Sequence, residues 1–135
     1  MAFIKVVQHI QSIKRKILTV NHLQHAYGGY IVLKGLGTFV KGGDESQIYL
    51  SPTGNPGMAS AGMGDALTGI IGGLIAQQFN LAQAALTGVW LHGAAGDLAA
   101  QEAGEKGLLA SDLMPFIRLL VNKKIKYDAD KFKIR

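Results

Sequence analysis

A chain of 135 residues, 17% charged and 48% hydrophobic, is sized for one domain with a real core and is too apolar for disorder. It has no cysteine, which excludes a disulfide scaffold and thiol chemistry and fits a reducing compartment. The net charge of +5 is local: residues 121–135 carry six Lys or Arg against two Asp, leaving eight against seven elsewhere, so a near-neutral body with a solvated basic tail is expected instead of a nucleic-acid binder.

The opening MAFIKVVQHIQSIKRK lacks the unbroken apolar run of a signal peptide. Ile4, Val7, Ile10, Ile13, Ile17, Val20 and Leu23 recur at spacings of three and four, which predicts an amphipathic helix over residues 3–27, ended by Gly28 and Gly29. YIVLKG then reads as a buried strand, its even apolarity fitting a parallel interior position. TFVKGGDESQIYL reads as two strands around a polar glycine turn, a β-hairpin. A glycine-rich loop runs from Ser51 to Gly64, followed by helices over about 65–78 and 81–103. The longest apolar run, ALTGIIGGLIA, stops at Gln77 and is too short to span a bilayer, so a cytoplasmic protein with no membrane contact is expected. GLLASDLMPFIRLLVNKK predicts a last helix, capped by Ser111, with Leu113, Phe116, Ile117 and Leu120 inward. The order of elements indicates α/β layers. A sheet of three strands would be small for these helices, so the sheet is expected to belong to a larger one, with residues 1–135 a single partial domain and 123–135 its basic tail.

One acid stands out. Between Ser46 and Gly96 the only charged side chain is Asp65, inside SAGMGDALTG. A carboxylate in an apolar stretch needs partners or water, and the nearest partners are backbone N–H groups at a helix start. Asp65 is then either an N-cap, which residue types alone favour, or the base beside an anion held by the N–H groups of Gly62, Met63 and Gly64. No Lys-Ser/Thr pair follows, so the loop is not a Walker A, and its glycine spacing is wrong for a dinucleotide fingerprint. A second candidate is KGLGT, Lys34–Thr38, at the end of a buried strand where ligands of open α/β sheets gather. Lys34 there either meets a phosphate or snorkels to solvent, and taken alone the second is favoured.

VLKGLGT, the hairpin, SPTGNPGMASAGMGDALTGIIGGLIAQ and AALTGVWLHGAAGDLAA together resemble the ADP- or ATP-dependent NAD(P)H-hydrate dehydratases of the ribokinase-like superfamily, over about residues 28–121. The resemblance implies the C-terminal part of a three-layer α/β/α ribokinase-like fold. It implies repair of hydrated NADH or NADPH by spending a phosphoryl group of ADP or ATP, with Mg²⁺ accompanying the nucleotide. It implies that Lys34, Gly35, Leu36, Gly37 and Thr38 line the nucleotide site and that Gly64 meets its phosphate, in the anion hole that Gly62 and Met63 would complete. Asp65 is then the catalytic base at the hydrate and a cap as well. Asn55 orders the loop on the substrate side, whereas His92 and Asp97, five apart on a helix, have structural roles. No resident metal site is expected. The family's longer catalytic domain begins with strand–helix units and a Pro-His-Pro-x-Glu-like stretch that this chain does not match. The chain is therefore expected to be the nucleotide-binding half, to expose YIVLKG as a sheet edge, and to form a homo-oligomer or pair with a separate N-terminal half. The alternatives are a small-molecule kinase of the same superfamily and a non-catalytic truncated remnant.

Overall fold

The computed structural model describes residues 4–7, 12–43, 47–122 and 133–134. Strand β1 (Ile4–Val7) is followed by helix α1 (Ile13–Tyr27), then β2 (Tyr30–Leu33), β3 (Phe39–Gly42) and β4 (Ile48–Leu50). Helices α2 (Met63–Ala76), α3 (Leu81–Ala103) and α4 (Leu113–Asn122) come next, and β5 (Lys133–Ile134) is last. The five strands form one sheet in chain order, with β1 parallel to β2 and every other pair antiparallel.

The expected helix over residues 3–27 is therefore two elements. Ile4, Val6 and Val7 are β-branched and pair with β2, while the helix starts only at Ser12, whose side chain accepts from the Arg15 N–H at 3.3 Å. The spacing from Ile4 to Ile10 fits a helix, but β1 gains its stability from β2, more than twenty residues away. Residues 8–11 lie outside the described residues. YIVLKG is interior, as expected, but it is not the sheet's edge: β1 covers it. The hairpin forms as expected between β3 and β4, with Phe39 opposite Leu50 and Val40 opposite Tyr49.

Alternation along the strands sends side chains to two cores. Ile31, Leu33, Phe39 and Ile48 meet Val20, Ile17 and Leu23 of α1 on one face. Val32 and Val40 meet α3 on the other, with α2 and α4 packed against α3 behind it. This is a three-layer α/β/α arrangement. Helix α3 has the expected bounds, set by a capping box between Asn80 and Gln83 and by Gly104 at φ +91°. Its small residues serve close approach: a Cβ on Gly88 would lie 2.6 Å from Ile71 of α2. Helix α4 buries Leu113 and Leu120, with Phe116 and Ile117 partly covered, as expected. Ser111 does not cap it. Ser111 lies inside a 3-10 turn, Ala110–Asp112, and the turn is closed by Asp112, whose Oδ2 accepts from the Leu109 N–H at 2.9 Å. Among the described residues no helix is long and apolar enough to cross a membrane. Of the basic tail, Lys133 and Ile134 pair with β4, and residues 123–132 and 135 lie outside the described residues.

Candidate nucleotide cleft and the glycine–acid helix start

A cleft of about 290 Å³ opens beyond the carboxyl end of β2. One wall is the turn Lys34–Thr38 and the other is the loop Thr53–Ala59, with Val89, His92 and Gly93 of α3 between them. Position and lining agree with the rule that ligands of open α/β sheets sit outside strand carboxyl ends. All five residues of KGLGT thus share one site. Lys34 is half-buried, its Nζ donates to the Met58 carbonyl at 3.4 Å, and burial lowers its pKa. It is a tethered cation bridging both walls, not a snorkelling one.

The far wall is built by α3. Asp97 accepts from the Gly54 N–H and from Asn55 Nδ2, both at 2.9 Å, and Asn55 Oδ1 in turn accepts from the Gly57 N–H at 3.1 Å. Thr53 Oγ1 donates to the Trp90 carbonyl at 3.3 Å. The loop lies against the helix because Gly93 and Gly96 have no side chains: a Cβ on Gly93 would sit 2.7 Å from the Thr53 carbonyl carbon, and one on Gly96 2.3 Å from Met58 Sδ. Asn55 therefore orders the loop, as expected, and Asp97 is the anchor that makes this possible.

His92 is 4% exposed and hydrogen-bonded to the Met63 backbone, and its buried Nε2 has no partner among the described residues. Burial first, then the Lys34 charge, push its pKa down to about 4, against the opposing Met63 bond. It is a neutral imidazole lying against the Met63 backbone at the start of α2. The five-residue spacing of His92 and Asp97 turns them to different faces, and both faces are in use.

Gly62, Met63 and Gly64 do not line this cleft. They begin α2, and the His92–Met63 bond joins the two regions. Gly62 is the N-cap, in a left-handed conformation at φ +83°, and no side chain caps the helix. Asp65 is therefore not a cap. It is the third helical residue, because the buried Met63 side chain draws the first turn two residues earlier than expected. The carboxylate is exposed and accepts no hydrogen bond among the described residues. The first N–H groups of α2 thus have no side-chain cap among the described residues and the helix dipole behind them, and an exposed carboxylate follows in the first turn.

Sequence reasoning missed Lys16. It lies on α1, is 3% exposed, and reaches the turn that lines the cleft. Its place four residues before the buried Val20, on the same helix face, was the available signal.

This sheet, its three layers and the cleft at the strand end define an α/β protein of the ribokinase-like class, and a ribokinase-like superfamily protein from Enterococcus faecalis superposes with a TM-score of 0.69 at 25% identity, covering 87% of this chain and 43% of that one. The chain belongs to the NAD(P)H-hydrate dehydratase family, whose model matches residues 3–118. It is 60% identical over 104 residues to the bifunctional NAD(P)H-hydrate repair enzyme Nnr of Coxiella burnetii, and 46% identical over 101 residues to the ADP-dependent (S)-NAD(P)H-hydrate dehydratase of Neisseria meningitidis. These matches cover 76% and 74% of this chain but only 21% and 34% of those proteins. A Bacillus subtilis ADP/ATP-dependent NAD(P)H-hydrate dehydratase, co-crystallised with ATP and Mg²⁺, superposes with a TM-score of 0.74 at 32% identity, over 80% of this chain and 39% of that one.

Proposed function

We propose that this chain is the nucleotide-binding part of an NAD(P)H-hydrate dehydratase and takes ADP or ATP in the cleft between Lys34–Thr38 and Thr53–Ala59. The observation that carries the reading is that cleft: a strand-end site with a half-buried cation, linked by His92 to a helix start that no side chain caps. The nucleoside lies along the 34–38 wall, and the phosphates extend toward Lys34 and the N–H groups of Gly62, Met63 and Gly64. Asp65 takes the proton of the hydrate's ring hydroxyl as its oxygen attacks the terminal phosphoryl group. The nucleotide leaves one phosphate shorter. Phosphate then departs with the C–O bonding pair, the ring nitrogen supports the electron-poor ring, and loss of a neighbouring C–H proton restores the double bond. The N–H groups at the start of α2 stabilise charge on the phosphoryl group in transit. Asn55 holds the loop on the substrate side.

Among the described residues no group of three or more His, Asp or Glu gathers to hold a metal ion. Mg²⁺ is usually held by one or two carboxylates together with phosphate oxygens and waters, so the ion would enter with the nucleotide phosphates. A cytoplasmic location is part of the same proposal, because the hydrates of reduced nicotinamide nucleotides are its substrate.

Incubating the chain with ADP and hydrated NADH tests the reading. Return of the reduced-ring absorbance with formation of AMP supports it, and absence of any ADP binding rejects it. Binding without turnover supports a second reading, a nucleotide-binding remnant, which the exposure of Asp65 favours. The sheet supports assembly: β1 is one of its two edges among the described residues, and an uncovered edge offers unpaired backbone groups to another chain. The expected result in light scattering is a homo-oligomer, or a complex with a separate N-terminal half. A monodisperse 14.4 kDa monomer at every concentration rejects assembly through this edge.

A further inference from the structure

Lys16 is a buried ammonium with no carboxylate partner among the described residues. Its Nζ donates to the carbonyl of Leu36 and, at 3.2 Å, to that of Gly37, and it lies 5.7 Å from the centre of the Phe39 ring. Removing an ammonium from water is costly, and an apolar side chain of similar size would pack there without that cost. Burial lowers its pKa from the ordinary lysine value. The two carbonyls do not need it for their own satisfaction. They belong to an exposed turn, in which Leu36 is 79% exposed and Gly37 partly exposed, and not to a buried segment. What the lysine adds is a fixed orientation of two successive peptide groups. Every peptide bond among the described residues is trans, so each carbonyl held toward α1 turns the N–H of the following residue the opposite way. Those are the N–H groups of Gly37 and Thr38, and both residues line the cleft. Gly37 itself sits at φ +67°, with Leu50 2.9 Å from where a Cβ would be, so the turn has little other means of adjustment on that side.

We propose that Lys16 is a positioning residue for nucleotide binding: from α1 it holds the Leu36 and Gly37 carbonyls and so presents the Gly37 and Thr38 N–H groups to an adenine nucleotide. This rests on the reading of the cleft as the nucleotide site. The lysine acts before the ligand arrives, by removing freedom from a turn that would otherwise be ordered at the expense of affinity.

The test compares the whole chain with Lys16→Met and Lys16→Arg, using amide order parameters of the free proteins, ADP titration calorimetry and thermal midpoints. In Lys16→Met, order parameters at residues 35–38 are expected to fall from the rigid range near about 0.85 toward about 0.6, with β2 unchanged. The ADP Kd is expected to rise about ten-fold, equivalent to about 1.4 kcal/mol. The thermal midpoint stays near that of the wild type, and Lys16→Arg recovers most of the affinity. A merely structural lysine would lower the midpoint and leave the affinity of the folded protein intact, and that result overturns the proposal. So does an unchanged order parameter at residues 35–38. If the wild-type chain binds no ADP, the nucleotide reading fails by itself, and the order parameters still decide whether Lys16 holds the turn.

Discussion

Asp65→Asn is expected to lower ADP-driven recovery of the reduced nicotinamide absorbance by about 10²–10⁴-fold, the usual contribution of a positioned general base. The fold and the ADP affinity should persist. Asp65 accepts no hydrogen bond among the described residues and does not cap α2, so asparagine leaves no partner stranded. The stability change is confined to the loss of a favourable charge in the first helical turn, about 0.3–1 kcal/mol. Steady-state assays on wild type and variant, alongside urea unfolding, separate the two effects. Turnover within a few-fold of wild type would remove Asp65 from the role of base.

Acid is expected to destabilise the protein through His92. Its pKa is about 4 in the folded chain against 6.5 for a free imidazole. Between those values the unfolded chain binds the proton more readily, so stability rises with pH across that window. The contribution is complete above pH 6.5 and is lost as pH falls through about 4. Its full size is about 3 kcal/mol at about 1.4 kcal/mol for each pH unit of separation. Urea midpoints at pH 7 and pH 4 measure it. His92→Asn keeps a polar amide that can still face the Met63 backbone while the titration is removed. The variant should lose markedly less stability than the wild type on acidification, since the carboxylates are common to both. Parallel losses would show that His92 is not the group responsible.

Much of this architecture was legible from local pattern. Helix α3 could be bounded because Asn80 and Gly104 punctuate it, and the hairpin because polar residues with glycines separate two apolar runs. Strand β1 was not legible. Its residues also satisfy a helical spacing, and what decides between the two states is a partner beyond α1. The site divides in the same way. Lys34–Thr38 and the lone Asp65 were visible as sequence oddities. The opposing wall, Thr53–Ala59, was visible only as a glycine-rich loop, because its position depends on Asp97 more than forty residues later. Lys16 was hidden by the helical pattern itself: a cation in the inward stripe of an amphipathic helix reads as a flaw until its acceptors are known. Asp65 looks like a cap in sequence, but the helix start is set by backbone geometry at Gly62 and by burial of Met63.

The parallel pairing of β1 with β2 has a consequence for the order in which the chain folds. Strands β2, β3 and β4 close over short turns, whereas β1 reaches β2 only after α1 has been laid down between them. Long closures cost more entropy and nucleate later. During synthesis, at about 5–20 residues per second, β1 leaves the ribosome before its partner has been made. Ile4 and Val6 then wait uncovered for a second or more, and β1 docks onto a hairpin already formed. Pulse-labelled hydrogen exchange during refolding should find the amides of β1 protected last. Protection of β1 before the β2–β3 pair would reverse this order.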